Sequence, residues 1–148
     1  MKKTIIISIV FIFLGIITGK TIYYINNNIN KNIYNEQVYY FIQEGVYANK
    51  EIMEENTKKL SNKLITNNKG KYYVYLGITK NIKNAKKIEK IYKRLGYDIY
   101  LKEVVIKNDE FSYNLDEFDK LLETTKNTND ILTIEEVVLS NYDEITKK

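Results

Sequence analysis

Val38-Tyr39-Tyr40-Phe41-Ile42-Gln43-Glu44-Gly45, with Asn49 four residues beyond the glycine, and Tyr73-Val74-Tyr75-Leu76-Gly77, with Asn81 four residues beyond, are one pattern written twice at a spacing of 32 residues. Each copy opens with β-branched and aromatic residues and closes on Gly, the signature of a strand. In each the Asn stands where a helix N-cap belongs, its short side chain able to accept a bond from an orphan amide. After Asn49, Ile52, Met53, Leu60 and Leu64 fall near one face at helical spacing. After Asn81, Ile82, Ala85, Ile88, Ile91, Tyr92 and Leu95 form the cleanest 3.6-residue stripe in the chain.

Working outward, Lys63-Leu64-Ile65-Thr66 reads either as a short strand or as a helix end. Asn67-Asn68-Lys69-Gly70 is a turn, and Lys71 to Ile78 is a clear strand. Gly96 stops the second helix, and a last strand runs from Tyr97 to Ile106. Two copies of one unit are too few for a solenoid. The order β-α-β-β-α-β predicts an α+β, ferredoxin-like domain with one antiparallel sheet, both helices on one face and the other face bare. That layout by itself fixes no function.

Composition removes several chemistries. The 148 residues contain no His, no Cys and no Pro. This excludes a thiol nucleophile, a His base, the usual zinc or haem ligands and a disulfide framework. No cofactor is expected. Eighteen Asn, 14 Tyr and a basic set in which Arg94 is the single Arg give a bias like that of an AT-rich coding genome, so one Lys, Asn or Tyr carries little weight alone.

Residues 4–25 are apolar apart from Lys20 and a few hydroxyl and Gly positions, and Lys2 and Lys3 precede them. A span of about 20 such residues crosses a bilayer, with Lys20 snorkelling and Tyr23 and Tyr24 at the interface. Thr18-Gly19-Lys20 is a poor cleavage site, so residues 1–25 are expected to be a cytoplasmic N-terminus and an uncleaved anchor. The positive-inside rule then puts the remaining chain outside the cell membrane. Residues 26–37, with six Asn, read as a polar tether.

Ile42-Gln43-Glu44-Gly45-Val46-Tyr47, a helix, Tyr73-Val74-Tyr75-Leu76-Gly77, a second helix and Gly96-Tyr97 before a final strand resemble the SPOR domain over residues 38–106. Glu44 stands where that family usually has an apolar residue, and Ile78-Thr79 where it commonly has Pro and an aromatic. The resemblance implies a domain that binds peptidoglycan glycan strands stripped of stem peptides, at division or sporulation septa, behind a membrane anchor. It implies no enzyme activity.

Strand alternation says which residues would meet such a ligand. With Ile42, Val74, Leu76, Ile99 and Leu101 turned to the helices, the open face carries Phe41, Gln43, Tyr73, Tyr75, Tyr100 and Lys102. Tyr offers a flat ring for sugar C–H faces and a polar tip, and Gln43, which matches the family's strand-one Gln, offers both acceptor and donors. The plainer account is that Tyr is a good strand former whose cross-strand pairs stabilise a sheet.

Charge is divided along the chain. Residues 1–106 hold 18 basic and 8 acidic residues, and residues 107–148 hold 5 and 11. The helix after Asn81 carries Lys83, Lys86, Lys87, Lys90, Lys93 and Arg94, just beyond Lys80. It reads as a solvated face or as a surface for anionic wall polymers or lipid headgroups. The 107–148 extension reads as helical, with Leu115, Phe118 and Leu122 on one face and Val138 and Tyr142 in a second segment. It either packs on the domain or docks division or sporulation proteins through Phe118, Leu122 and Val138. Glu54-Glu55 and Asp116-Glu117-Asp119 are carboxylate groupings of the kind glycosidases use, but beside so many Lys they read as solvated charge. RNA binding shares the β-α-β-β-α-β order, yet Lys71–Gly77 lacks the Gly-aromatic-Gly core of the RNA motif, and no nucleic-acid partner is expected. The remaining alternative is a membrane-anchored adaptor that uses the same fold to bind proteins.

Overall fold

The computed structural model describes residues 37–147. The expected anchor and nearly all of the tether therefore lie outside the described residues. Among the described residues, no helix is long and apolar enough to cross a membrane.

The elements follow one another as β1 (Gln37–Tyr47), α1 (Lys50–Thr57), β2 (Leu64–Asn68), β3 (Lys71–Thr79), α2 (Ile82–Arg94), β4 (Tyr100–Ile106), α3 (Asp109–Thr124) and α4 (Thr128–Thr146). The sheet order is β2-β3-β1-β4, with every neighbouring pair antiparallel. This α+β arrangement of four strands and four helices is compatible with a ferredoxin-like fold.

Asn caps all four helices among the described residues. Asn49 accepts from the Ile52 amide at 3.0 Å, Asn81 from Lys83 at 2.8 Å, Asn108 from Phe111 at 2.8 Å and Asn127 from Asn129 at 2.8 Å. Helix α1 stops at Thr57, so Leu60 and Leu64 lie beyond it. The Lys63 ammonium donates to the Thr57 and Leu60 carbonyls at 2.8 and 3.1 Å, tying the end of the helix to the turn that follows it. Helix α2 ends in a Schellman motif, with the Tyr97 amide on Tyr92 O and the Gly96 amide on Lys93 O, both at 3.1 Å. These bonds delay the last strand to Tyr100. Strands β2 and β3 join through Lys69 and Gly70, both at positive φ, a two-residue turn of type I′.

The pairing of β1 with β3 slips twice between Ile42 and Gly45, so Leu76 and Glu44 are each left without a directly opposed partner. The bulge removes Glu44 from the alternation. Its carboxylate instead accepts from the Tyr47 hydroxyl at 2.9 Å, and burial together with that carboxylate pushes the Tyr47 phenol up to about 12. The Tyr47 ring folds back over Gly45, where a Cβ would lie 2.8 Å from the ring edge.

Successive strand residues point to opposite faces. Phe41 and Ile42 are both buried, as are Val74, Tyr75 and Leu76, so at its centre the sheet is covered on both sides. This differs from the expected bare face. Tyr142 of α4 meets Phe41 edge-on at 5.3 Å and Phe111 of α3 at 5.2 Å, and Phe111 stacks on Tyr39 at 5.8 Å. The apolar stripes Phe111, Leu115, Phe118, Leu122 and Ile131, Ile134, Val138, Leu139 are buried in the same core. Each such side chain contributes about 1.5–3 kcal/mol of transfer free energy.

Acidic groups of α3 fasten it to the start of α2. The Asp119 carboxylate accepts from the Thr79 hydroxyl, from the Lys80 amide at 2.9 Å and from Asn84 Nδ2 at 2.8 Å. Lys80 pairs with Asp116 and donates to Ser112 O at 2.9 Å. Lys87 donates to the carbonyls of Leu122 and Thr125, where a helix C-terminus favours a cation. Strand β3 outruns β2, which pairs only with Lys71–Tyr75. Beyond that point the Ile78 amide donates to Glu135 of α4 at 2.9 Å.

Candidate functional site

The five residues expected to meet a glycan share one region of the sheet, at two different depths. Gln43 lies opposite Tyr100 across β1–β4 and opposite Tyr75 across β1–β3. The Tyr73 and Tyr75 rings are stacked at 6.4 Å with 13° between their planes, and Phe41 meets Tyr75 edge-on at 5.0 Å. Lys102 holds its ammonium 4.9 Å from the Tyr73 ring centre, a cation–π contact. Cross-strand neighbours on a pleated face lie about 5 Å apart, so this is one contiguous cluster.

Helix α4 divides it. Phe41 and Tyr75 are only 2% and 6% exposed, and Tyr142 lies against Phe41. Burial raises the Tyr75 phenol above its ordinary value, which keeps it protonated and uncharged. Gln43 and Tyr73 are half-buried, and Tyr100 is 63% exposed. The accessible part is thus a strip of Tyr73, Gln43 and Tyr100 with Lys102 at its side, resting on a floor of Phe41 and Tyr75. Chemically the strip offers ring faces, an amide that both donates and accepts, and one cation.

Four of the five carboxylates in the Glu54-Glu55 and Asp116-Glu117-Asp119 groupings are employed elsewhere. Asp119 and Asp116 hold α3 to Lys80 and the start of α2, Glu117 pairs with Lys120 at 2.8 Å and Glu54 with Lys50 at 3.4 Å. Phe118, Leu122 and Val138 are buried within the chain's own core.

Tyr142, expected only as part of the helical extension, covers Phe41, and Glu135, for which no role was expected, lies against Gly77 and Ile78. Glu135, fully buried, places Oε2 2.5 Å from where a Cβ on Gly77 would be, so only Gly at 77 admits the carboxyl. Its Oε1 has no hydrogen-bond partner within the described residues, and burial drives its pKa well above the carboxylate range, Asp119 adding to the rise. The sequence signal for Glu135 is an acid inside the apolar period Ile131, Ile134, Val138.

No family model matches the chain, and neither a curated protein nor a solved structure matches it.

Proposed function

We propose that the chain is a single-pass membrane protein, anchored by residues 4–25 with its N-terminus cytoplasmic, whose extracytoplasmic domain binds peptidoglycan glycan strands at division or sporulation septa through a SPOR-type sheet. It acts by binding, without catalysis. The observation that carries this reading is the strip beside α4. Gln43 faces Tyr100 in register, and Tyr73 lies beside them with Lys102 over its ring. A sugar chain has apolar ring faces and hydroxyl or acetamido edges, which such a row of rings and amide matches in alternation. A strand stripped of its stem peptides is narrow enough to lie along a strip bounded by α4. The loss of Phe41 and Tyr75 to the core leaves Tyr100 and Gln43 as the principal contacts.

One observation favours a second reading. With Phe41 and Tyr75 buried beneath Tyr142, the open aromatic surface is smaller than the bare face first expected. A membrane-anchored adaptor that binds a protein at this strip accounts for the same geometry. Co-sedimentation with purified sacculi, with and without amidase treatment to remove stem peptides, separates the two. Glycan recognition predicts binding that rises with amidase and falls about two- to tenfold in Tyr100→Ala, the loss of about one aromatic stacking contact. Absence of binding to either preparation would leave the adaptor.

A further inference from the structure

We infer that the outer face of α2 docks on anionic lipid headgroups of the membrane that holds the anchor, an inference that rests on the anchor reading above. Lys83, Lys86, Lys90 and Arg94 are exposed, and their side chains make no hydrogen bond or ion pair with any described residue. Spacings of three, four and four residues keep them in one stripe about 16 Å long. Their neighbours are spent differently: Lys80 and Lys87 hold α3, and Lys93 pairs with Glu89 at 2.7 Å. The acidic extension therefore neutralises one flank of the helix and leaves the outer flank fully positive. A row of cations with no partner of its own is attracted to a surface of opposite charge.

One feature selects a bilayer as that surface. Lys80, just before α2, donates to the Gln37 side chain at 3.1 Å, so the stripe begins where the tether delivers the chain to β1. The eleven residues 26–36 between the expected anchor and β1 reach at most about 40 Å, which keeps the row within reach of that membrane. Ile82 and Leu95, exposed at the two ends of the helix, belong to its apolar face and not to the basic row, so the contact is electrostatic. Docked in this way, α2 would fix the height and orientation of the domain above the membrane.

The chain has no cysteine, so a label on Leu95→Cys is unique. The full chain is incorporated into nanodiscs of phosphatidylcholine, with or without about 30% phosphatidylglycerol, carrying a headgroup quencher. The fluorophore at 95 should be quenched in anionic discs and released in neutral discs or near 0.5 M salt. A label on Ser140→Cys, on the exposed side of α4, should stay bright. Replacing Lys83, Lys86, Lys90 and Arg94 by Gln should lower the ratio of docked to free domain at least about thirtyfold while leaving the melting temperature unchanged. Equal quenching in neutral and anionic discs, quenching that survives the four substitutions, or tighter binding to added polyphosphate than to headgroups would each overturn the assignment. Failure of the chain to enter discs at all would refute the anchor instead. Flotation of the same protein with anionic against neutral vesicles would then read the stripe directly, and equal flotation would refute it.

Discussion

Replacing Tyr142 by Ala tests whether α4 is an integral cover of the sheet. The ring is half-buried and meets Phe41 at 5.3 Å and Phe111 at 5.2 Å, both edge-on. Half of an aromatic side chain is about 100 Å² of surface, worth about 2.5 kcal/mol at 25 cal/mol per Å². Each ring pair adds about 0.5–1.5 kcal/mol beyond area, and part of the gap closes by relaxation, so a loss of about 3 kcal/mol is expected. For a unit of this size that lowers the melting temperature by roughly 12 °C. Thermal and urea unfolding of wild type and variant under one set of conditions would measure it. A double-mutant cycle with Phe41→Leu should return a coupling of about 0.5–1.5 kcal/mol. A loss under about 0.5 kcal/mol with no coupling would refute the docking of α4 over Phe41, since exposed substitutions fall in that range.

Glu135→Gln should change the pH dependence of stability. The folded state holds the Glu135 proton more tightly than the unfolded chain, so the stabilisation it gives is complete below the ordinary carboxyl value of 4.5 and is lost as pH rises through the raised folded value. The amide can still accept from the Ile78 N–H without ionising, so the variant should exceed wild type at neutral pH and lose that advantage towards pH 4. Parallel pH profiles in urea melts would count against this. Gly77→Ala drives a methyl into the Glu135 carboxyl and should cost about 1–3 kcal/mol, readable in the same melts. Asp119→Ala leaves the Lys80 amide, the Thr79 hydroxyl and Asn84 short of an acceptor, and should cost about 3 kcal/mol with faster hydrogen exchange in α3. Lys69→Asn relaxes a non-glycine residue held at φ 51° in the hairpin turn and should raise stability by about 0.5 kcal/mol; a measured decrease would contradict the turn assignment.

The strands and the first two helices were legible because their determinants are local. Gly45 with Asn49 and Gly77 with Asn81 mark strand ends and helix caps within four residues, and the caps form where the spacing places them. Of the apolar period of α2, Ala85, Ile88, Ile91 and Tyr92 end up buried, while Ile82 and Leu95 at its two ends stay exposed. The covered face was not legible. Whether Phe41 and Tyr75 meet solvent depends on where a segment sixty or more residues downstream packs, and alternation along a strand carries no information about that. Asp119 read as one more solvated acid, because its three donors come from β3, the loop after it and α2, and meet only in the fold. The bulge at Glu44 was hidden for a related reason: a register slip between β1 and β3 belongs to the pair of strands and leaves no mark in either one.

The most direct test of glycan recognition is an NMR titration of the full chain in nanodiscs with glycan oligomers free of stem peptides. Saturable shifts confined to Gln43, Tyr73, Tyr100 and Lys102, with an affinity lowered by Tyr100→Ala, are the predicted result. Unmoved signals for these four residues at saturating glycan, or an unchanged affinity in the Tyr100→Ala protein, would contradict it.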